Sequence, residues 1–264
     1  MRLFFRLSSI ELALILVVVV FGVTLLGLLL GRLMRHRSEH LREPFGILQG
    51  ALLGLVGLVL AFGLALSVGR YETRRTAVVD DANAIGTTYL RAQTLKEPMR
   101  AESLALLKRY ADTSIRLSHA VPDSAKARAA VADGAAIHQA LWRLAGESLA
   151  ESPDASAPRL YVETLNEMID MQTVRVAALN NRVPGAVLGV ELFGAAIALG
   201  LLAFYLSILG RGVSPVLLAA ALITMLLLVT FDLDRPTRGL ITVPDTPLVA
   251  LRASMDLPPA AQGP

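Results

Sequence analysis

The sequence predicts an all-α integral membrane protein in which four transmembrane helices carry a helical-bundle insert between the second and the third. Hydrophobic residues make up 54% of the 264 residues, whereas soluble domains average about 45 to 50%. Four apolar stretches are long enough for a helix to cross a bilayer, which takes roughly 20 residues. The long polar segment between the second and third stretches has apolar residues at helical spacing.

The first apolar stretch follows a short basic segment, MRLFFRLSS, as a secretory signal would. It exceeds the roughly 7 to 15 apolar residues of a signal, and no A-x-A cleavage site follows it. We therefore interpret it as a retained first span. The predicted spans are residues 11–31, 46–69, 186–209 and 213–231.

The polar insert is predicted to be a bundle of helices. In its first segment, apolar residues from Tyr71 to Tyr89 recur about every 3.5 residues, a spacing typical of packed helices. Prolines punctuate the remainder and predict further helices over 99–119, 124–151 and 157–182. The predicted parts of the chain are the membrane segments 1–69 and 184–231, the insert 70–183, and a tail 232–264 with a disordered end.

The second span carries a stripe of small residues on one helix face. A stripe of this kind allows backbones to approach closely in a bilayer, where packing drives helix association. We interpret this face, with the large residues beside it, as either pore-lining or helix-packing. Its members are Gly50, Gly54, Gly57, Leu58, Ala61, Phe62 and Ala65.

Charged residues from three spans are predicted to meet at one membrane interface, because four antiparallel spans place their ends alternately on the two sides. Glu191 lies about 10 Å into the third span at helical rise, and a carboxylate at that depth marks a functional or paired site. Both a salt bridge with Arg70 or Arg74 and a role in an ion pathway remain open. The predicted cluster is Arg70, Arg74, Glu191, Asp232, Asp234 and Arg235.

The sequence lacks the usual signatures of an enzyme or a cofactor protein. It contains no GxSxG, HExxH, P-loop or GxGxxG motif and no cysteine. Its net charge is only +3, without basic patches interleaved with aromatic residues, which argues against nucleic-acid binding. His36 and His40 have the spacing of two metal ligands, but a solvated loop is the favoured interpretation. We predict a protein without enzymatic activity, metal or cofactor.

Two polar features of the insert are interpreted as structural. His138 falls on the apolar face of its helix, where we expect a hydrogen-bonded core histidine. Asp80 and Asp81 are adjacent and point in different directions on a helix, so we expect a salt bridge with Arg74 or Arg75 instead of paired-carboxylate chemistry.

Two segments resemble signature sequences of a bacterial membrane family labelled bestrophin-like. They are VVDDANAIGTTYLRAQTL at 78–95 and FDLDRPTRGLITV at 231–243, and the resemblance extends over about 45–252. The family is in turn similar to bestrophin chloride channels, which implies a pentamer, a mainly cytosolic helical domain and a neck lined by span two. The neck positions would be Gly54, Leu58 and Phe62, with Arg70 eight residues after the phenylalanine.

This sequence departs from the bestrophin channels in two respects. Gly54 stands where the neck has a bulky apolar residue, and no acidic cluster resembling the calcium clasp follows span four. Calcium gating is therefore not implied.

The favoured function is a homo-oligomeric channel for small anions in the bacterial inner membrane. Lys and Arg in the short segments number five on each side, and the residues flanking the insert favour a cytoplasmic insert. Its partners would be the lipid bilayer and further copies of the chain. The alternative is a non-conducting membrane scaffold or sensor whose insert binds a partner.

Overall fold

The computed structural model describes residues 8–35, 42–210 and 213–259, with only the backbone for 42–45. These residues form eight helices and no strand, which confirms the predicted all-α class. Four helices of the described chain, α1, α2, α6 and α7, are long and apolar enough to cross a membrane. The helices are α1 Ser9–Met34, α2 Arg42–Ala92, α3 Met99–His119, α4 Ala125–Glu151, α5 Ser156–Asn180, α6 Gly185–Ile208, α7 Ser214–Leu233 and α8 Thr246–Ser254.

The chain forms two compact units. The first, called here the membrane unit, comprises Met1–Arg70 and Arg182–Ile241. Its core is aliphatic and draws on all four long helices, with Leu16, Leu60, Leu199 and Leu227 at most 2% exposed. Large apolar side chains also cover its outside, which suits a surface in contact with lipid.

Local sequence signals explain where the helices of the membrane unit begin. The Ser8 hydroxyl accepts a hydrogen bond from the Glu11 amide at 3.1 Å, while Glu11 accepts one from the Ser8 amide. This reciprocal arrangement is a capping box, which satisfies amides that have no partner within the helix. Pro215 lies in the first turn of α7, where its missing N–H has no cost.

The second unit, called here the insert unit, comprises Tyr71–Asn181 and Thr242–Pro264. Its core includes Ile85, Leu107, Leu141 and Leu165, all fully buried. The helices α3, α4 and α5 begin and end within two residues of the bounds that the prolines predicted. At the start of α4 the Ser124 hydroxyl accepts a hydrogen bond from the Ala127 amide at 3.1 Å.

The tail returns to the insert unit as a helix that the sequence did not predict. Leu248 of α8 and Met255 just after it are at most 1% exposed in the core of this unit. The Tyr89 hydroxyl donates a hydrogen bond to the Met255 carbonyl at 2.9 Å. The interpretation of 232–264 as a mere tail is therefore incomplete, while the last residues, 260–264, lie outside the described part.

Candidate functional site

The small-residue stripe of α2 is open to the surroundings in the single chain. A Cβ added at Gly50, Gly54 or Gly57 would meet no atom within 4 Å. Ala61 and Ala65 are exposed on the same face. The whole stripe is therefore accessible to lipid or to another copy of the chain.

Two large residues stand beside this open stripe. The side chain of Leu58 is 53% exposed and that of Phe62 is 62% exposed.

The opposite face of α2 packs within its own subunit. Leu60 lies in the aliphatic core, and Gly63 and Ser67 are buried on the same side of the helix. Val56 lies beside Gly194 of α6, since a Cβ at that glycine would be 3.5 Å from its Cγ2 atom. These contacts fix the rotation of α2, and they direct the small-residue stripe away from the subunit core.

Close helix packing within the membrane unit uses other glycines. A Cβ at Gly27 of α1 would collide with the backbone oxygen of Gly200 in α6. One turn later, a Cβ at Gly31 would lie 2.5 Å from the Phe204 carbonyl oxygen. The Ser207 hydroxyl donates to the Leu28 carbonyl at 3.0 Å across the same contact. This contact was not predicted from the sequence, although the spacing of Gly27 and Gly31 is the GxxxG pattern of close helix pairs.

The predicted interface charges at the end of α7 belong to one buried network. Asp232 accepts hydrogen bonds from the Ile241 amide at 2.8 Å and the Ser9 hydroxyl at 3.4 Å. Asp234 accepts one from the Val183 amide at 3.0 Å. Arg235 is 2% exposed and lies in the field of Asp232. These residues tie the segment after α7 to the start of α1 and the segment before α6.

Glu191 does not join that network. Its side chain is 1% exposed and lies against the backbone of Gly63. Neither carboxylate oxygen has a hydrogen-bond partner in residues 8–35, 42–210 and 213–259. Of the two possibilities left open by the sequence, the salt bridge with Arg70 or Arg74 is therefore not formed among the described residues.

The predicted arginines after the second span differ in their surroundings. Arg74 is 1% exposed, and its guanidinium donates to the Asn181 carbonyl at 2.9 Å and to the Ala178 carbonyl at 3.4 Å. It therefore caps the end of α5, where a cation complements the helix dipole. Arg75 is exposed and pairs with Glu72 at 3.4 Å, and Arg70 is half-buried.

The buried ion pair of the insert unit differs from the expected one. Asp81 is bonded to Arg175 at 2.5 Å and to the Ser114 hydroxyl at 3.1 Å, not to Arg74 or Arg75. Arg175 also donates to the Ser114 carbonyl at 2.9 Å. The expectation was wrong because Asp81 points into the bundle, toward a residue 94 positions away.

His138 packs against an aromatic ring and lacks the expected hydrogen bond. Its side chain is 6% exposed, and its ring centroid lies 4.5 Å from that of Tyr110. Its Nε2 atom has no partner in the described part of the chain. Burial lowers the pKa of His138 to about 4, and burial raises the pKa of Tyr161, in the core of the same unit, to about 12. Both groups are therefore neutral at physiological pH.

The possible metal ligands His36 and His40 lie outside the described residues. Within the described ranges, no group of three or more His, Cys, Asp or Glu residues could hold a metal ion.

Comparisons with known proteins agree on one family. The profile of the Bestrophin-like domain matches residues 13–248. The structure of a bacterial bestrophin homologue from Klebsiella pneumoniae, solved by Zn-SAD phasing, is 16% identical, with a TM-score of 0.64 over 89% of this chain and 95% of that chain. A mutated form of that homologue is 15% identical, with a TM-score of 0.68 over 89% and 97%. A search of curated proteins found no match.

Proposed function

Because the chain belongs to the bestrophin-like family of membrane proteins, we propose that it is one subunit of a homo-oligomeric channel for small anions. Bestrophins are anion channels, and the four apolar helices give this chain the means to cross a membrane. In the proposed assembly, α2 of each subunit lines a central pore. We propose the bacterial inner membrane as its location, with the insert on the cytoplasmic side.

The observation that carries this proposal is the open stripe on α2. Small residues support close helix packing in lipid, yet Gly50, Gly54 and Gly57 contact nothing in their own subunit. The close contacts inside the subunit use Gly27, Gly31 and Gly200 instead. A face that is free of intrasubunit contact and composed of small residues suits helices that gather around an axis.

The charges that follow the second span favour anions over cations. Arg70 and Arg75 come directly after the apolar part of α2. Repeated in each subunit, Arg70 would form a cationic ring, which attracts anions electrostatically, whereas the charge of Arg75 is offset by Glu72. Arg74 contributes no such ring in this proposal, because its guanidinium is occupied by the end of α5.

Chloride flux through liposomes that contain the purified oligomer tests the proposal. We expect flux in the wild-type protein and a several-fold increase for Phe62→Ala, since removing a ring from a narrow pore widens it. Phe193→Ala is the matched control, because Phe193 is 66% exposed on α6 and Phe62 is 62% exposed on α2. An increase of equal size in both variants would contradict the assignment of α2 to the pore.

The same preparation distinguishes the channel from the alternative function, a non-conducting scaffold or sensor. An intact oligomer that passes no small ion would contradict the channel. A monomer or dimer without a central axis would instead support the non-conducting scaffold or sensor.

A further inference from the structure

The side chain of Glu191 occupies an unusual environment for a carboxylate. It lies within α6, one of the membrane-crossing helices, and is 1% exposed. Buried carboxylates are normally hydrogen-bonded or paired, but neither oxygen of Glu191 has a partner among the described residues. In a membrane protein, a carboxylate so placed marks a functional site by default.

The opposing helix provides space for this group. A Cβ added at Gly63 of α2 would overlap Oε1 of Glu191, and its three nearest atoms all belong to that carboxyl group. The neighbouring contact of Gly194 with Val56 shows that α2 and α6 run antiparallel here. The carboxyl group thus lies in a notch that exists only because residue 63 has no side chain.

A second polar group lies one helical turn from this notch. Ser67 follows Gly63 by four residues on the same face of α2. Its side chain is fully buried, and its hydroxyl has no hydrogen-bond partner in the described part of the chain. Helical side chains lean toward the N-terminus of their helix, and in an antiparallel pair this directs Glu191 toward the turn that holds Ser67.

The charged groups on the helices around α6 do not compensate Glu191. Arg70 lies seven residues beyond Gly63 on α2, about 10 Å along the helix axis. Among the described residues, α1 also carries Glu11 at its start and Arg32 in its last turn, and Asp232, Asp234 and Arg235 belong to the network after α7.

We propose that Glu191, Gly63 and Ser67 form a proton-binding site within the membrane unit, and that loss of the proton loosens α2 from α6. The neutral acid fits the notch, whereas the carboxylate formed on proton release needs more hydrogen-bond donors than the single hydroxyl, that of Ser67, which the packed helices offer. Because the opposite face of α2 carries the small-residue stripe, release of the proton would also alter the candidate pore. That last consequence rests on the proposed function, but the site itself does not.

Disulfide cross-linking between α2 and α6 tests the site without any need for conduction. The chain has no cysteine, so the pair Val56→Cys and Gly194→Cys would be unique. A Cβ at Gly194 would lie 3.5 Å from Val56, which places the two thiols within reach of each other. The full-length protein in liposomes is oxidised over a pH series, once with Glu191 and once with Glu191→Gln.

The ratio of the two cross-linking yields is the decisive quantity, because the pH dependence of the thiols cancels in it. We expect a ratio near one at acid pH and a fall at higher pH that approaches roughly tenfold per pH unit, the limit for one coupled proton. A ratio that stays constant across the series would overturn the proposal.

Two further measurements separate the site from the channel. One infrared band of a protonated carboxylic acid should persist at a pH at which the exposed Asp and Glu residues are already ionised, titrate away as the pH rises further, and be absent from Glu191→Ala. If Glu191→Gln fails to fold, a wild-type spectrum without a titrating band of this kind would overturn the proposal. If the protein passes no anions but the cross-linking ratio falls, the proposed channel fails and the proton site stands.

Discussion

Buried polar residues in the two units are accommodated in different ways. In the insert unit, Asp81 and Arg175 are at most 2% exposed and pair at 2.5 Å through Oδ2 of Asp81, which also accepts a hydrogen bond from the Ser114 hydroxyl. Oδ1 of Asp81 has no hydrogen-bond partner among the described residues. In the membrane unit, Glu191 is equally buried and has no partner in the described residues. A buried ion pair between two helices holds them in position, whereas the proposed role of Glu191, which lacks such a pair, is to exchange a proton. The two carboxylates therefore have different expected roles.

His138 makes the stability of the insert unit depend on pH. Burial lowers its pKa to about 4, whereas a histidine in the unfolded chain titrates near 6.5. Between these pH values the unfolded state binds more protons than the folded state. The contribution of His138 to the stability of the folded state is therefore complete above about pH 6.5 and is lost as the pH falls toward 4. Acidification from pH 7 to 4 should therefore destabilise the wild type, and His138→Leu should lack this component.

The fluorescence of Trp142, the only tryptophan, reports unfolding of α4 around His138. In urea titrations of the full-length protein, we expect the wild type to lose roughly 1 to 3 kcal/mol relative to His138→Leu between pH 7 and pH 4. The difference between the two proteins should be flat from pH 7 to 8. A difference that does not change below pH 6.5 would contradict the assignment.

At the scale of helices, glycines with similar spacing serve different contacts. Gly27 and Gly31 of α1 face the backbone of α6, where no larger side chain fits. Gly50, Gly54 and Gly57 of α2 face open space in the single chain. The sequence pattern alone does not distinguish the two sets, because both satisfy the small-residue rule. The distinction depends on the rotation of each helix, which the buried residues on its other face determine.

This difference predicts the outcome of enlarging one glycine on each helix. If the stripe forms the proposed contact between copies of the chain, Gly57→Leu should leave the subunit folded and reduce the number of subunits per particle, because it blocks only the external face of α2. Gly22→Leu is the matched control, since Gly22 on α1 also has no atom within 4 Å of an added Cβ. Mass measurement of the detergent-solubilised particle gives the subunit number. An unchanged number in Gly57→Leu would remove the stripe from the assembly interface.

At the scale of the whole chain, the insert unit is completed by residues after the last membrane helix. Leu248 of α8 is fully buried in a core formed mainly by residues before 182. Arg252 and Asp256 add exposed ion pairs to Asp112 and Lys108, at 2.8 and 3.0 Å. Exposed ion pairs contribute little to the free energy of unfolding. The apolar contact of α8 should therefore account for most of the stability that this helix adds.

Truncation of the buried leucine tests this contribution. Leu248→Ala should lower the free energy of unfolding of the insert unit by about 2 to 5 kcal/mol. The adjacent Val249→Ala is the control, because Val249 is 48% exposed and exposed substitutions usually change stability by about 0.5 kcal/mol or less. Trp142 fluorescence in urea again provides the measurement. Equal effects of the two substitutions would show that α8 is not part of the folded core.

The sequence by itself determined the membrane class, the helices of the insert and the bestrophin-like family. Apolar length, proline positions and helical periodicity are local properties, and each can be read within about 20 residues. It also identified Glu191 as unusual, because a carboxylate inside an apolar run is conspicuous without any knowledge of its neighbours.

Only the tertiary structure decided which residues meet. Asp81 and Arg175 are 94 positions apart, and the notch for Glu191 comes from Gly63 on a different helix. The docking of α8 likewise depends on a core that helices earlier in the sequence form together. Contacts of this kind depend on the rotation and pairing of whole helices, which no local pattern specifies.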